Sequence, residues 1–178
     1  ILVFSQKTGL LLSILYDGGW LTTLRTAIAG IIASSVTPWE VNNIGIIGTG
    51  ALASLVQPLV KKKYSTANLR LWGRDPNKVR RMADAGTTVC EHIQEVLAQS
   101  DVIISTTAAT AAIIKDVDTS GKKHIIALGA DDVHKQECDP ALFNGCNKVI
   151  VDSKTQACQF GECFYALGAG VITAEETI

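Results

Sequence analysis

Asn43-Ile44-Gly45-Ile46-Ile47-Gly48-Thr49-Gly50-Ala51-Leu52-Ala53, followed about twenty residues later by Leu69-Arg70-Leu71-Trp72-Gly73-Arg74-Asp75-Pro76, decides how this chain folds. A short apolar run enters a GxGxxA turn, and a helical pattern leaves it. In such a turn Gly48 makes the tight bend and Gly50 lets backbone N–H groups approach a pyrophosphate. Ala53 lets the following helix pack close to the sheet, with the phosphates at its positive N-terminus. Gly48, Thr49, Gly50, Ala51 and Leu52 are therefore the candidate phosphate cradle. The second apolar run ends in Gly73-Arg74. A carboxylate at that point would accept from the adenosine ribose, whereas an arginine pairs with a 2′-phosphate, so Gly73 and Arg74 favour NADP(H), with NAD(H) possible. The other reading of Arg74 is an exposed residue of the turn before Pro76.

Outward from this core, the pattern alternates strand and helix. Strands are expected at Asn43–Ile47, Asn68–Trp72, Thr88–Cys90, Val102–Ser105, His124–Leu128 and Val149–Val151. Helices are expected at Ala51–Lys63, Pro76–Ala85, Glu91–Gln99, Pro140–Asn144 and Thr155–Leu167, with Pro58 expected to kink or shorten the first of them. Val102-Ile103-Ile104 and Ile125-Ile126-Ala127 are apolar on both faces, as strands of a covered parallel sheet are. The fold class is thus α/β: a Rossmann-type doubly wound parallel sheet over residues 39–178. Before it, Ile1–Ser5 and Gly9–Asp17 read as a hairpin, and Leu21–Val36 as a helix with Thr22 as its N-cap. Residues 1–38 read as a small N-terminal piece of another domain.

Composition bounds the function. The chain has 178 residues, 16 Lys+Arg against 17 Asp+Glu and a net charge of -1, which gives no electrostatic reason to expect nucleic acid or an anionic membrane as partner. Lys61-Lys62-Lys63 reads as a solvated helix end rather than a patch. The five cysteines lack CxxC or mixed His/Cys spacing, so no metal site and no disulfide framework is indicated, and a reducing cytoplasm fits. The apolar stretch Ala27–Val36 is too short to span a bilayer. His92, His124 and His134 are scattered and receive no catalytic part.

Residues at the carboxyl ends of later strands supply the remaining candidates. Thr106 and Thr107 follow the Val102–Ser105 strand, where small hydroxylated residues would face ribose or nicotinamide; a plain strand exit is the alternative. Asp131 follows the next strand and puts a carboxylate at the switch-point edge, or else caps its own loop. Arg25 stands in an apolar helical stretch, where its guanidinium suits a substrate carboxylate or snorkels to solvent.

Thr8-Gly9, Leu21-Thr22-x-x-Arg25-Thr26-Ala27, Gly45 to Gly50, Trp72 to Pro76, Gly129-Ala130-Asp131 with Lys135-x-Glu137, and Val151-Asp152 with Gly161-Glu162 occur in the order of the ornithine cyclodeaminase and mu-crystallin family, which the chain resembles over nearly all its length. The resemblance implies a Rossmann domain, a separate substrate and dimerisation domain, and a homodimer. It implies that Arg25 binds the substrate carboxylate and that Asp131 is the catalytic aspartate near the substrate nitrogen. It also implies a further catalytic lysine and substrate arginine before Ile1, and a returning segment after Ile178. The chain departs from the family at Leu52, commonly glutamine, at Val133-His134, commonly Pro-Gly, and in lacking a proline after Thr106-Thr107. The implied activity is NADPH-dependent reduction of a cyclic ketimine, an imino acid, to an amino acid. The alternatives are an ornithine cyclodeaminase with recycled NAD, and a crystallin-like protein that binds NADPH and a small ligand without turnover.

Overall fold

The computed structural model describes residues 1–176. The elements run β1 (Leu2–Phe4), β2 (Leu11–Ile14), α1 (Trp20–Ala33), β3 (Asn43–Ile47), α2 (Ala51–Lys63), β4 (Asn68–Trp72), α3 (Pro76–Met82), β5 (Thr87–Val89), α4 (Ile93–Gln99), β6 (Val102–Ser105), β7 (Thr110–Ile114), β8 (His124–Ala127), β9 (Gln136–Cys138), α5 (Lys154–Ala157) and α6 (Glu162–Gly168). Short 3-10 turns occupy Ser34–Val36, Pro140–Gly145 and Ala174–Glu176.

Five strands form one all-parallel sheet in the order β5-β4-β3-β6-β8. This is the doubly wound arrangement expected from the sequence: the order reverses beside β3, and the carboxyl ends of β3 and β6 flank the switch point. Ile44 pairs with Leu69 and Val102, and Ile47 with Trp72 and Ser105, so the strands end level at one edge. Alternation along the strands divides the core. Ile44, Ile46, Leu71, Val102 and Ile104 face α1 and α2 through Ala27, Ala53, Val56 and Val60. Ile47 and Ile103 face the other way, onto Val96 and Leu97 of α4 and onto Ile114 and Cys138 of β7 and β9. A third, smaller cluster joins Cys163, Ala166 and Ile172 to Phe143 and Val149.

Several local expectations are corrected. α1 begins at Trp20, and Asp17 accepts from the Leu21 amide through Oδ2 at 2.8 Å, so the helix start is satisfied from upstream and Thr22 is not its N-cap. α2 runs through Pro58 to Lys63; Pro58 is on the exposed face, where water reaches the carbonyl left without an amide partner. Lys61 reaches Asp84 and the Ala85 carbonyl, and Lys63 reaches the Ile31 carbonyl at 2.8 Å, so two of the three lysines tie α2 to neighbouring segments. Val149–Val151 forms no strand, and the expected C-terminal helix is broken into α5 and α6, with Gly161 between them at φ 80°. β7 and β9, which pair in parallel as a separate two-stranded sheet, are not among the strands expected from the sequence. β1 and β2 form the expected antiparallel hairpin.

The amino-terminal edge is fastened by charge-assisted contacts. Asp101 Oδ2 accepts from the amides of Asn42 and Asn43 at 3.0 and 2.8 Å, and Lys123 donates to the carbonyls of Leu97, Ala98 and Ser100 at the end of α4. Burial pushes the Lys123 ammonium below its usual pKa, yet three carbonyls hold it. Lys123→Met takes the donor from the carbonyls of the buried residues Leu97 and Ser100, and urea unfolding is expected to show a loss of about 1–3 kcal/mol with an unchanged slope.

Candidate functional site

The edge where β3, β4, β6 and β8 end gathers the sequence-predicted residues. Gly48 has φ 119°, and its amide donates to the Trp72 carbonyl at 2.8 Å, so the turn is bonded to the neighbouring strand. A side-chain carbon there would meet Thr106 Oγ1 at 2.5 Å, which excludes any larger residue. Gly50 precedes α2 in extended conformation, exposed, with open space where a Cβ would stand. The first turn of α2 carries no acidic residue and Gly50 makes no side-chain cap, so the backbone donors of the helix N-terminus face that space. Thr49 packs its methyl against Gly73, and Leu52 is half-buried against the α1 and α2 core. Ala51 is exposed beside Gly50.

Past β4, Arg74 is exposed, and Asp75 is committed to the N-cap of α3, accepting from the Asn77 and Lys78 amides at 2.9 and 3.3 Å. The carboxylate next to Arg74 is therefore engaged by the helix it starts. A cavity of about 450 Å³ opens at this turn, lined by Gly73, Pro76, Arg80, Val89, Cys90 and Glu91.

The two threonines after β6 differ from the sequence expectation in how they are used. Thr106 is buried and its hydroxyl donates to the Ile47 carbonyl at 3.0 Å, locking the turn at Gly48. Thr107 donates its hydroxyl to Glu137 Oε1 at 2.7 Å and accepts from the Ala109 amide. Both hydroxyl protons are held inside the protein, so these residues shape the edge chiefly through backbone and methyl groups.

Asp131 stands in the loop after β8 with an exposed side chain, bonded to Lys135 Nζ at 2.5 Å. The Lys135 hydrogen bond holds its carboxyl below the usual pKa, and Arg25 of α1 adds to the lowering. The structure thus brings Arg25 and Asp131, which are 106 positions apart, into one electrostatic neighbourhood. α1 is held there by close packing: Gly30 lies so near Leu128 that a Cβ would fall 2.5 Å from Leu128 Cδ1. Asp131 is an ionised acceptor at neutral pH, paired with the Lys135 ammonium and within the field of the Arg25 guanidinium.

Sequence reasoning named no role for Glu137 or Glu162, and the structure places both behind this edge. Glu137 has no solvent exposure. Its Oε1 accepts from Ser105 Oγ at 2.5 Å and from Thr107 N and Oγ1 at 2.7 Å each, and its Oε2 accepts from the Gly129 amide at 2.8 Å. Glu162 accepts from the amides of Glu137 and Cys138 at 2.7 and 2.8 Å. Burial raises its pKa to about 7 against those two hydrogen bonds, with the Glu137 charge raising it further. The signal available in sequence was a glutamate inside an otherwise buried-looking QEC triplet and another directly after Gly161. Among the described residues no group of three or more His, Cys, Asp or Glu could hold a metal ion, and no helix is long and apolar enough to cross a membrane.

A sequence model described as the Ornithine cyclodeaminase/mu-crystallin family matches residues 1–176. The ketimine reductase mu-crystallin of Macropus fuliginosus is 31% identical over 161 residues, covering 88% of this chain and 51% of that protein. The crystal structure of the iminosuccinate reductase of Paracoccus denitrificans in complex with NAD+ superposes with a TM-score of 0.86 at 27% identity, over 99% of this chain and 56% of that one. An archaeal alanine dehydrogenase dimer with bound NAD gives a TM-score of 0.85 at 26% identity, over 99% of this chain and 56% of that one. The chain spans about half the length of the curated relatives it matches.

The electrostatics give a direct check. In Lys135→Met the Asp131 carboxyl loses the first cause of its lowering, and its pKa is expected to rise toward the ordinary aspartate range, followed by NMR titration of the side-chain carbonyl. An unmoved value would mean that Arg25 dominates the field there.

Proposed function

The chain belongs to the ornithine cyclodeaminase/mu-crystallin family, and on that premise we propose that it carries the dinucleotide site and part of the substrate site of an NAD(P)H-dependent reductase, which converts a cyclic ketimine to an amino acid. The observation that carries this is the combination, on one edge, of an open helix N-terminus at Gly50 and an ionised Asp131 under the influence of Arg25. The residues fit a pyrophosphate: Gly48, Thr49, Gly50, Ala51 and Leu52 form the turn and first helical turn, and no acidic side chain opposes the anion there. When bound, the nicotinamide supplies the hydride.

This chain's own side chains would do the rest. Arg25 pairs with the substrate carboxylate through its planar fork and fixes the ring. Asp131, kept ionised by Lys135, accepts from the imine N–H and so favours the protonated imine, whose neighbouring carbon is the better hydride acceptor. Thr106 and Thr107 set the strand ends on which the nicotinamide half would rest.

For the cofactor we infer NADP(H). Arg74 is free to meet a 2′-phosphate, Asp75 is occupied by its cap, and Arg80 lines the adjoining cavity. Residues 1–38 are read as belonging to a substrate and dimerisation domain. Their hairpin exposes Leu2, Phe4, Leu10, Leu11 and Leu12, which supports a homodimer formed through that side. The five free thiols suit a reducing cytoplasm.

Titration with NADPH and NADH, followed by tryptophan quenching or calorimetry, tests the reading. NADPH is expected to bind more tightly by about 1.5 to 3 kcal/mol, and Arg74→Ala to remove that margin. Equal or tighter binding of NADH would favour a cyclodeaminase with recycled NAD. Turnover of pyrroline-2-carboxylate by a protein carrying this chain would exclude the purely ligand-binding alternative.

A further inference from the structure

Glu137 and Glu162 lie outside the mechanism above, yet the edge converges on them. Glu137 is sealed from water, and its carboxylate takes all four of its hydrogen bonds from Ser105 at the end of β6, Thr107 just after it and Gly129 just after β8. The Gly129 backbone is clamped so tightly between them that a Cβ would lie 1.8 Å from the Thr107 carbonyl oxygen and 2.8 Å from Glu137 Cδ. Glu162 binds the two β9 amides on either side of the Glu137 peptide. The same segment also holds the Asp131 loop from outside. Gly161 abuts the Ala130 carbonyl, with its Cβ position 3.1 Å away, and Tyr165 Oη donates to the Val133 carbonyl at 2.7 Å. A chain of contacts therefore runs from α6 through β9 to Thr107 and Gly129, two residues from Asp131.

We propose that Glu137 and Glu162 are a positioning pair: Glu162 fixes β9, β9 presents Glu137, and Glu137 fixes the ends of β6 and β8 on which the nicotinamide half of the dinucleotide rests. This rests on the dinucleotide reading for the identity of the ligand, while the positioning itself does not depend on it. Neither residue touches the reacting atoms.

Charge gives the pair a signature that simple packing would not have. The titratable groups facing Glu162 are Glu137 and Cys138 of β9 and Cys163 of its own helix, and Lys135 faces Glu137. Glu162 titrates at about 7 in the folded chain, above its unfolded value. The folded state therefore holds the extra proton between the two values. The associated stability is present at low pH and is lost as pH rises through about 7. Charging Glu162 beside Glu137 should loosen the edge, and a neutral isostere should abolish the effect.

The test uses hydrogen–deuterium exchange of this chain, corrected for intrinsic rates, on segments 105–109 and 127–131, together with NADH titrations from pH 5.5 to 8.5. NADH is the probe because the 2′-phosphate of NADPH itself titrates near about pH 6. In the wild type, protection at Thr107 and Gly129 and NADH affinity are each expected to fall 3- to 10-fold between pH 6 and pH 8. Glu162→Gln keeps one acceptor oxygen and leaves the other backbone amide without its acceptor, so it is expected to lower protection at every pH while removing the pH dependence. Ser105→Ala, which removes one of the four donors to Glu137, should lower protection at Gly129 several-fold, and Glu137→Gln more so. Unchanged protection in Ser105→Ala and Glu137→Gln, or a pH dependence that persists in Glu162→Gln, overturns the proposal. If exchange behaves as expected while neither NADH nor NADPH binds the wild type, the positioning pair stands and the dinucleotide reading falls.

Discussion

β3 and β6 are sealed on both faces, with Ile44, Ile46, Ile47, Val102, Ile103 and Ile104 showing no exposure at all. Their backbone N–H and C=O groups have no water to turn to, so each strand must be flanked by hydrogen-bonding neighbours on both sides. Parallel neighbours need long crossovers, and helices supply them. Once α1 and α2 cover one face and α4 the other, the carboxyl ends of β3, β4, β6 and β8 fall level along one edge. Everything proposed about function is placed by that alignment.

An edge of strand ends is a poor platform until its loops are fixed. The loops after β6 and β8 carry polar backbone that the sheet no longer satisfies, and here a carboxylate supplies the acceptor. Burying a charged group costs several kcal/mol, and at Glu137 four donors offset that cost. The result is directional, unlike the apolar core beside it. Hydrophobic contact would hold the loops together in many arrangements, whereas four hydrogen bonds to two oxygens admit few. The same logic explains why Thr107 donates its hydroxyl to Glu137.

The N-terminal part plays a different role. α1 joins the sheet through Ala27 and Gly30 and so brings Arg25 near Asp131. The hairpin before it makes no comparable core: Tyr16 is 94% exposed and Leu10 67%. An arginine delivered by this helix stands between the hairpin and the sheet edge, which suits the substrate-carboxylate role proposed for Arg25.

The amino-acid sequence by itself determined the fold class and the bounds of β3, α2, β4 and β6, because short apolar runs, some of them apolar on both faces, and a helical pattern between them leave few ways to bury those residues, and the glycine turn admits few connections. It also placed Arg25 and Asp131 as candidates, through their motifs. Tertiary structure decided what depends on contacts between distant segments. β7 and β9 exist because residues 110–114 and 136–138 pair with each other, not because either segment prefers extended chain. The C-terminal helix divides before Gly161, whose backbone takes φ 80° and passes close to the Ala130 carbonyl. Glu137 and Glu162 stand in motifs visible in the sequence, but what they hold was not legible there for the same reason. A glutamate reads as a surface residue until the fold surrounds it with donors from positions 105, 107 and 129, and no local pattern encodes a hydrogen bond that spans thirty residues.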